Sequence, residues 1–272
     1  MMLEIRTIES IDQLKDLKQQ YVQEATAPLD GMWLLGFVPM ATHYGFYEHD
    51  KLIGFYCINS DGYLLQFYLD ANHKELSSEI FKHTLNKSGS HSEKVHGAFV
   101  STGEPQYLSL CLDNFSSFQV NSLMYQSNKR AKSHKEPLLP MTVAINDQLS
   151  DFVEFAKTAI GAPEEWVTRY FTNLINNQEL FGYWENNKLL ASGECRLRDE
   201  YQTEYADLGM IVSESERGKG LGTKVVQYVF NIAESKGLKA ICSTENSNIG
   251  AQKTLARAGF FSGNRIIQFD VQ

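Results

Sequence analysis

The sequence lacks any long apolar run. No stretch approaches the ~18 residues that a membrane-spanning helix requires, so no membrane association is expected. The opening residues "MMLEIRTIES" carry no basic region followed by an apolar one, so no secretory signal is expected either. Cysteine is scarce. Cys57, Cys111, Cys195 and Cys242 are far apart, form no C-x-x-C pair, and each sits in an apolar or strand-like stretch. They are expected as buried free thiols of a cytoplasmic protein rather than as disulfides or zinc ligands. The seven histidines show no H-x-x-x-H or H-E-x-x-H spacing, so no protein-bound metal is expected. Positive charge is also in short supply, with 25 Lys and Arg against 33 Asp and Glu and a net charge of −8. Nucleic-acid binding needs a basic face, which argues against that class of partner. The acidic balance mildly favours a cationic or amine-bearing one.

What is present is a large apolar inventory. Hydrophobic residues make up 43% of the 272, including 16 Phe and 13 Tyr. That suffices for one large domain or two smaller ones with packed cores. The chain also repeats itself. Residues 44–57, "YGFYEHDKLIGFYC", resemble residues 181–194, "FGYWENNKLLASGE". Gly45 falls opposite Gly182, Glu48 opposite Glu185, Lys51 opposite Lys188 and Leu52 opposite Leu189, at one constant offset. Each copy is an aromatic-rich strand, a polar two-residue turn (His49-Asp50 or Asn186-Asn187) and a second strand, which predicts a hairpin. Further on, "AFVST" at 98–102 echoes "AICST" at 240–244, and each is followed by a helical stretch and a last strand. Two echoes in the same order at nearly the same offset point to duplication. The polar, basic, proline-ended segment Gln126–Pro140 reads as a linker or crossing segment. The expected division is 1–138 and 139–272.

The second half parses coarsely into alternating elements. "MTVAIN" is a strand. "DQLSDFVEFAKTAIG" is a helix with an apolar face, ended by Gly161, and "APEEWVTRYFTNLINN" is a helix opened by Pro163 with two acids in its first turn. The hairpin follows, then a central strand "EYADLGMIVS". Thr223–Lys236 carries a stripe of Val225, Val226, Val229, Phe230 and Ala233 and ends at Gly237. A strand "LKAICSTE", a helix Ile249–Ala258 and a final strand complete an α/β pattern around a mixed sheet.

Between the central strand and the next helix stands "SESERGKGLGT" (213–223). The first turn of a helix has backbone N–H groups without intrahelical acceptors, and the helix dipole adds partial positive charge there. Gly218, Gly220 and Gly222 allow positive φ and close approach of an anion, while Arg217 and Lys219 add charge. A phosphate or diphosphate is the natural guest. The dinucleotide pattern G-x-G-x-x-G fails because residue 223 is Thr, and the P-loop pattern fails for the same reason. What fits is R-x-x-G-x-G, with Arg217, Gly220 and Gly222. In this the chain resembles the GCN5-related N-acetyltransferase (GNAT) family, whose Q/R-x-x-G-x-G/A turn holds the diphosphate of acetyl-CoA. "NIGAQKTLARAGF", with Asn248, Ala251, Gly259 and Phe260, matches the family's next helix. The N-terminal half resembles a second, degenerate copy. Its corresponding segment, "YLDANHKELSSEIF", contains no glycine.

The resemblance implies two GNAT-like domains, each a mixed, mostly antiparallel sheet flanked by helices, with acetyl-CoA bound by the second only. It implies cofactor contacts from Met210, Ile211 and Val212 on the splayed central strand, from Arg217, Gly218, Lys219, Gly220, Leu221, Gly222 and Thr223 in the turn, and from Asn248. It also implies direct attack of a primary amine, on a small molecule or peptide, at the thioester within a ternary complex. A backbone N–H must meet the carbonyl oxygen as it gains negative charge. The amine must lose a proton, and Asp207, Glu194 and Glu204 are the candidate carboxylates, with Tyr205 a weaker one. The family's usual tyrosine acid falls at Leu255, so the departing thiolate lacks that donor here. A second reading follows from Leu255: a non-catalytic acyl-CoA-binding or interaction module. The aromatic stretch "PLDGMWLLGFVPMATHYGFY" either lines an acceptor pocket or is domain packing. A monomer or a homodimer is compatible with all of this.

Overall fold

The computed structural model describes residues 3–86, 95–127, 139–197 and 200–271. The chain divides into two compact units, 1–123 with 264–272, and 124–263. The expected boundary near residue 138, and most of the Gln126–Pro140 segment, lie outside the described residues. Both unit borders fall inside strands.

Unit 1 contains β1 (Leu3–Thr7), α1 (Lys15–Glu24), a π-helical turn (Trp33–Phe37) running into the short α2 (Val38–Met40), β2 (Thr42–Glu48), β3 (Lys51–Ile58), β4 (Tyr63–Leu69), α3 (Ser77–Asn86), β5 (Gly97–Ser101), α4 (Pro105–Asn114) and the first part of β6 (Ser117–Ser127). Unit 2 contains the end of β6, β7 (Thr142–Val143), α5 (Leu149–Ile160), α6 (Glu164–Asn176), β8 (Leu180–Glu185), β9 (Lys188–Leu197), β10 (Tyr205–Val212), α7 (Leu221–Ser235), β11 (Lys239–Glu245), α8 (Ile249–Arg257) and the start of β12 (Phe260–Asp270). The expected strand 141–146 shrinks to the two residues of β7, and the 3-10 turn Asn146–Gln148 that leads to α5 begins directly after the extended Ile145.

The repeat is real in the backbone. His49 and Asp50 have φ of 46° and 63°, and Asn186 and Asn187 have 48° and 62°. Two consecutive left-handed residues make the hairpin turn whose twist matches the strands, and short polar side chains tolerate it. Both hairpins also bulge at equivalent positions, between Phe46 and Tyr47 and between Tyr183 and Trp184. Each unit then pairs strands antiparallel in the order β1-β2-β3-β4 or β7-β8-β9-β10, and adds one parallel neighbour, β5 or β11. The parallel ladders are short: Tyr63↔Gly97 and Leu64↔Ala98 in unit 1, Tyr205↔Lys239 to Asp207↔Ile241 in unit 2. Beyond these pairs the two strands of each unit part.

Burial follows the sequence pattern. The core of unit 1 is built around Phe46, Ile53, Phe67, Phe81 and Tyr107, and it includes Ile267 and Phe269 from β12. The core of unit 2 packs Phe152, Val153 and Ala156 of α5 against Val167, Phe171 and Leu174 of α6. All four cysteines are buried free thiols. Among the described residues, no helix is long and apolar enough to cross a membrane.

The aromatic stretch after α1 is in part domain packing. Trp33 sits edge-on to Phe37 and Phe99 with ring centroids 5.2 Å apart, and Val38 is buried with Cys57 and Leu65. Leu35, Phe37 and Met40 remain exposed.

The last strand of the chain serves unit 1. Residues 266–270 pair antiparallel with β5, from Ile266↔Ser101 to Asp270↔Gly97. Thr102 N–H donates to Arg265 O at 2.9 Å, and the Tyr63 hydroxyl donates to Asp270 at 2.8 Å. A chain ending at Gly263 is expected to lose the cooperative unfolding of unit 1, because β5 would be left with an open edge and the core without Ile267 and Phe269. Thermal unfolding followed by circular dichroism, with limited proteolysis mapped by mass spectrometry, checks this.

Unit 1 also buries a carboxyl. Glu104 accepts from Ser101 N–H at 2.5 Å, and burial raises its pKa from 4.5 to about 8. The folded state therefore holds a proton that the unfolded chain releases near pH 4.5, so stability falls as pH rises between about 4.5 and 8. Glu104→Gln is expected to flatten that dependence in urea unfolding measured across this range.

Candidate functional site

The site is built around the point in unit 2 where β10 leaves β11. β10 stays paired with β9 along its length, from Ala206↔Leu197 to Val212↔Ala191, while its pairs with β11 stop at Asp207↔Ile241. The alternation of antiparallel bonding decides which backbone groups this frees. Ser213 N–H donates to Leu190 O at 2.9 Å, and Glu204 O accepts from Lys239 N–H. Odd-numbered residues of β10 therefore turn their N–H and C=O toward β9, and even-numbered ones toward the β11 side. Met210 and Val212 present backbone donors and acceptors to the opening, and they have no strand partner there among the described residues. Ile211 does not: its backbone is directed at Ser192. Of the three strand residues expected to contact a cofactor, this alternation selects two.

The turn that follows has the predicted geometry. Gly218 and Gly220 have φ of 78° and 88°, and a Cβ on either would meet nothing within 4 Å. The glycines are there for conformation, and they leave the approach to the backbone clear. Gly220 caps α7, and no side chain satisfies the helix's first N–H groups. Leu221, Gly222 and Thr223 thus open the helix with free amides. Gly222 has a different reason. A Cβ there would lie 3.3 Å from Thr254 and 3.4 Å from the Met210 sulfur, so its bareness lets α7 pack against α8 and β10. The basic side chains are engaged: the Arg217 guanidinium donates to Ala159 O at the end of α5, and Lys219 pairs with Glu216 at 3.1 Å. With Glu214 and Glu216 in the same turn, its net charge is near zero, and the attraction for an anion comes from the amides. Asn248 caps α8, its side chain accepting from Ala251 N–H at 3.0 Å. Leu255 is buried in α8.

Two of the candidate carboxylates, Asp207 and Glu194, are brought together on the other face of the sheet. Asp207 pairs with Arg196 (Oδ2 to Nη2 3.0 Å), and Glu194 pairs with the same guanidinium (Oε2 to Nη1 3.3 Å). The Tyr170 hydroxyl of α6 donates to Glu194 at 2.6 Å and accepts from Arg196 Nη1 at 2.6 Å. Burial pushes the Tyr170 phenol well above its ordinary pKa, with Arg196 opposing and Glu194 adding to the rise. Glu194 and Asp207 are 5% and 1% exposed. Each accepts from a buried neighbour, so both carboxylates are tied into this cluster. Glu204 and Tyr205 stand at the start of β10, remote from the turn, with Glu204 exposed and Tyr205 under the Lys239 ammonium.

Sequence reasoning missed Arg196 and Tyr170. A signal for Arg196 existed: Glu194 and Arg196 are two apart on an otherwise apolar strand and therefore share a face. Nothing in the sequence marks Tyr170.

The equivalent place in unit 1 is filled. The segment between β4 and α3 has a 3-10 turn (Lys74–Leu76) without glycine. His73 contacts Asp70 at 2.5 Å and Glu48 at 3.3 Å, and Lys74 pairs with Glu24. At the last β4–β5 pair, the Tyr107 hydroxyl donates to Leu64 O at 3.1 Å.

Comparison with known proteins decides the family. A model described as an acetyltransferase (GNAT) domain matches residues 10–128, and one described as the acetyltransferase (GNAT) family matches residues 146–260. A solved acetyltransferase from the GNAT family from Colwellia psychrerythraea is 51% identical, with 99% of this chain and 100% of that chain covered and a TM-score of 0.94. The chain belongs to the GNAT acetyltransferases. It is a tandem GNAT protein, with one domain model on each half. A tandem GNAT protein from the clavulanic acid biosynthesis pathway shares the fold at 12% identity, with 98% of each chain covered and a TM-score of 0.61. So does a GCN5-related N-acetyltransferase from Sphaerobacter thermophilus, at 10% identity, with 98% and 94% covered and a TM-score of 0.62. No curated protein matches the chain. Among the described residues, no group of three His, Cys, Asp or Glu side chains is placed to hold a metal.

Proposed function

We propose that this GNAT protein is an N-acetyltransferase that binds acetyl-CoA in unit 2 and transfers its acetyl group to a primary amine. The observation that carries the reading is the pairing of a bare helix N-terminus with a strand that leaves its neighbour just before it. The open space over Gly218 and Gly220 and the uncapped start of α7 suit a diphosphate. The freed edge of β10 suits an amide-bearing arm such as pantetheine, which is long, flexible and rich in hydrogen-bonding groups. Arg217, Lys219 and Asn248 border this cradle, and their present bonds favour a leading part for the backbone amides.

When bound, acetyl-CoA supplies an acetyl thioester open to direct attack by the amine. The chain's part is to bind, to orient and to polarise. Met210 N–H is the donor placed on the freed edge nearest the point where the strands part, and we assign it the thioester carbonyl. Asp207 and Glu194 act from behind the strand, through Arg196, and do not receive the acceptor's proton. Leu255 offers no hydroxyl to the leaving thiolate. A thiol with a pKa of about 8.5 leaves as thiolate without such help. Unit 1, whose turn carries side chains where unit 2 carries bare amides, takes no cofactor.

Isothermal titration with CoA tests the cradle. Gly220→Val is expected to fold, to carry ~1–2 kcal/mol of backbone strain at a left-handed position, and to lose CoA binding. Substitution of Lys74 in the unit 1 turn is expected to leave that affinity unaltered. Unchanged affinity in Gly220→Val would place the cofactor elsewhere.

A second reading, a module that binds acyl-CoA without turnover, is favoured by the buried leucine at 255. Free thiol released from acetyl-CoA in the presence of amino acids, polyamines, aminoglycosides or peptides distinguishes the two. Sustained release with any one acceptor is expected. Binding without release across the whole panel supports the module.

A further inference from the structure

We infer that Arg196 is a positioning residue for acyl transfer: it fixes where β10 parts from β11 and thereby aims the Met210 N–H at the thioester carbonyl. The inference rests on the proposed acetyl-CoA site.

Three observations converge on it. First, Arg196 holds the residue at which the strands part. Asp207 is the last β10 residue paired with β11. The guanidinium takes it by side chain and main chain, with Nη2 to Oδ2 at 3.0 Å and Nε donating to the Asp207 carbonyl oxygen at 3.4 Å. A planar fork with several donors is suited to gripping two acceptors of one residue, which an ammonium is not.

Second, the same guanidinium controls the next residue on that face. Gly209 lies opposite Glu194 in the β9–β10 ladder. A Cβ at Gly209 would lie 2.6 Å from Glu194 Oε2 and 2.9 Å from its Cδ, so the carboxylate lies directly over the bare Cα. Glu194 is in turn held by Arg196 and by Tyr170, whose ring stacks on Trp166 at 4.9 Å. Asp207 and Gly209 are thus both set from one side by a single buried cluster. The peptide groups between and just after them carry the strand away from β11.

Third, Met210 follows immediately. Its N–H faces the opening by the alternation described above, and its side chain packs on the α7 face, near Gly222. Its amide direction is therefore fixed by its neighbours on both sides. An oxyanion-type donor is effective only when held in place before the charge develops. A buried guanidinium flanked by two carboxylates is costly and is no strong argument for stability alone. Its position at this fork gives it a purpose.

The test is spectroscopic. Acetyl-CoA labelled with 13C at the thioester carbonyl is bound to the full-length protein, and the carbonyl stretch is read by isotope-edited infrared difference spectroscopy. In the unaltered protein the band is expected below its position in water, as a hydrogen bond to the oxygen requires. In Arg196→Met it is expected to return toward the free position, while CoA itself, which lacks the carbonyl, binds with an affinity within about threefold of the original, less than the tenfold that 1.4 kcal/mol represents. Transfer to any accepted amine is expected to fall ~10²-fold, the cost of losing one such donor, in kcat rather than KM. Arg196→Lys, which keeps the charge and loses the fork, is expected to lie between the two.

Removing Arg196 alone leaves two buried carboxylates facing each other, so a neutral set, Arg196→Met with Glu194→Gln and Asp207→Asn, is measured beside it. A downshifted band retained in either folded variant would overturn the inference while leaving the cofactor site intact. Loss of CoA affinity together with the band shift would overturn it too, since the cluster would then be simple scaffolding. Failure of the unaltered protein to bind CoA would remove the site reading itself.

Discussion

The candidate site of this molecule depends on an interrupted ladder. A parallel pair of strands that ran its full length would satisfy its own backbone and offer nothing to a ligand. Here β10 and β11 share three residue pairs, then separate. β9 continues to hold β10 in place on its other side, to Val212. The strand is therefore rigid and half unsatisfied at once. Backbone groups without partners are unfavourable, so in the proposed function the freed edge suits a chain that brings its own amides, and the glycine turn immediately downstream offers a second set of backbone donors.

The duplication shows what the interruption is worth. Unit 1 has the same hairpin with the same left-handed turn and the same bulge, and its parallel ladder is interrupted as early. The difference lies in what occupies the gap. Tyr107 takes the Leu64 carbonyl, and the pairs Asp70–His73 and Glu24–Lys74 stand where unit 2 has its glycine turn. The segment after β4 is a closed set of side-chain pairs, whereas the turn after β10 leaves backbone amides bare.

Much of this was legible in the sequence, for identifiable reasons. The hairpins were readable because two polar residues with αL tolerance sat between aromatic strands. The helix N-terminus was readable because alternating glycines mark positive φ, and Gly218 and Gly220 have it. The α5 and α6 faces were readable from apolar periodicity. Other features could not be read. Gly222 looks the same in sequence as its neighbours, yet it answers to Thr254 on a helix thirty residues later, and tertiary contact of that kind leaves no local trace. Asp207 and Glu194 looked like free acids because Arg196 pairs with Asp207 only through the β9–β10 register. Met210, Ile211 and Val212 lie in β10 as the pattern implied, but which of them turn their backbone toward β11 needed the direction of one hydrogen bond, from Ser213 to Leu190. The expected linker had its turn and proline cues, whereas the unit borders fall within β6 and β12, strands whose patterns show no break.

The placement of β12 has a consequence for biosynthesis. The N-terminal unit is made before the second, but the strand that flanks β5 and supplies Ile267 and Phe269 is made after it. During translation its core stays open along one side, with an unpaired edge exposed, for as long as it takes the ribosome to add the whole of the second unit. Nascent chains of this kind are the ones that engage chaperones and mispair with their neighbours on a polysome. The second unit is contiguous from 124 to 263.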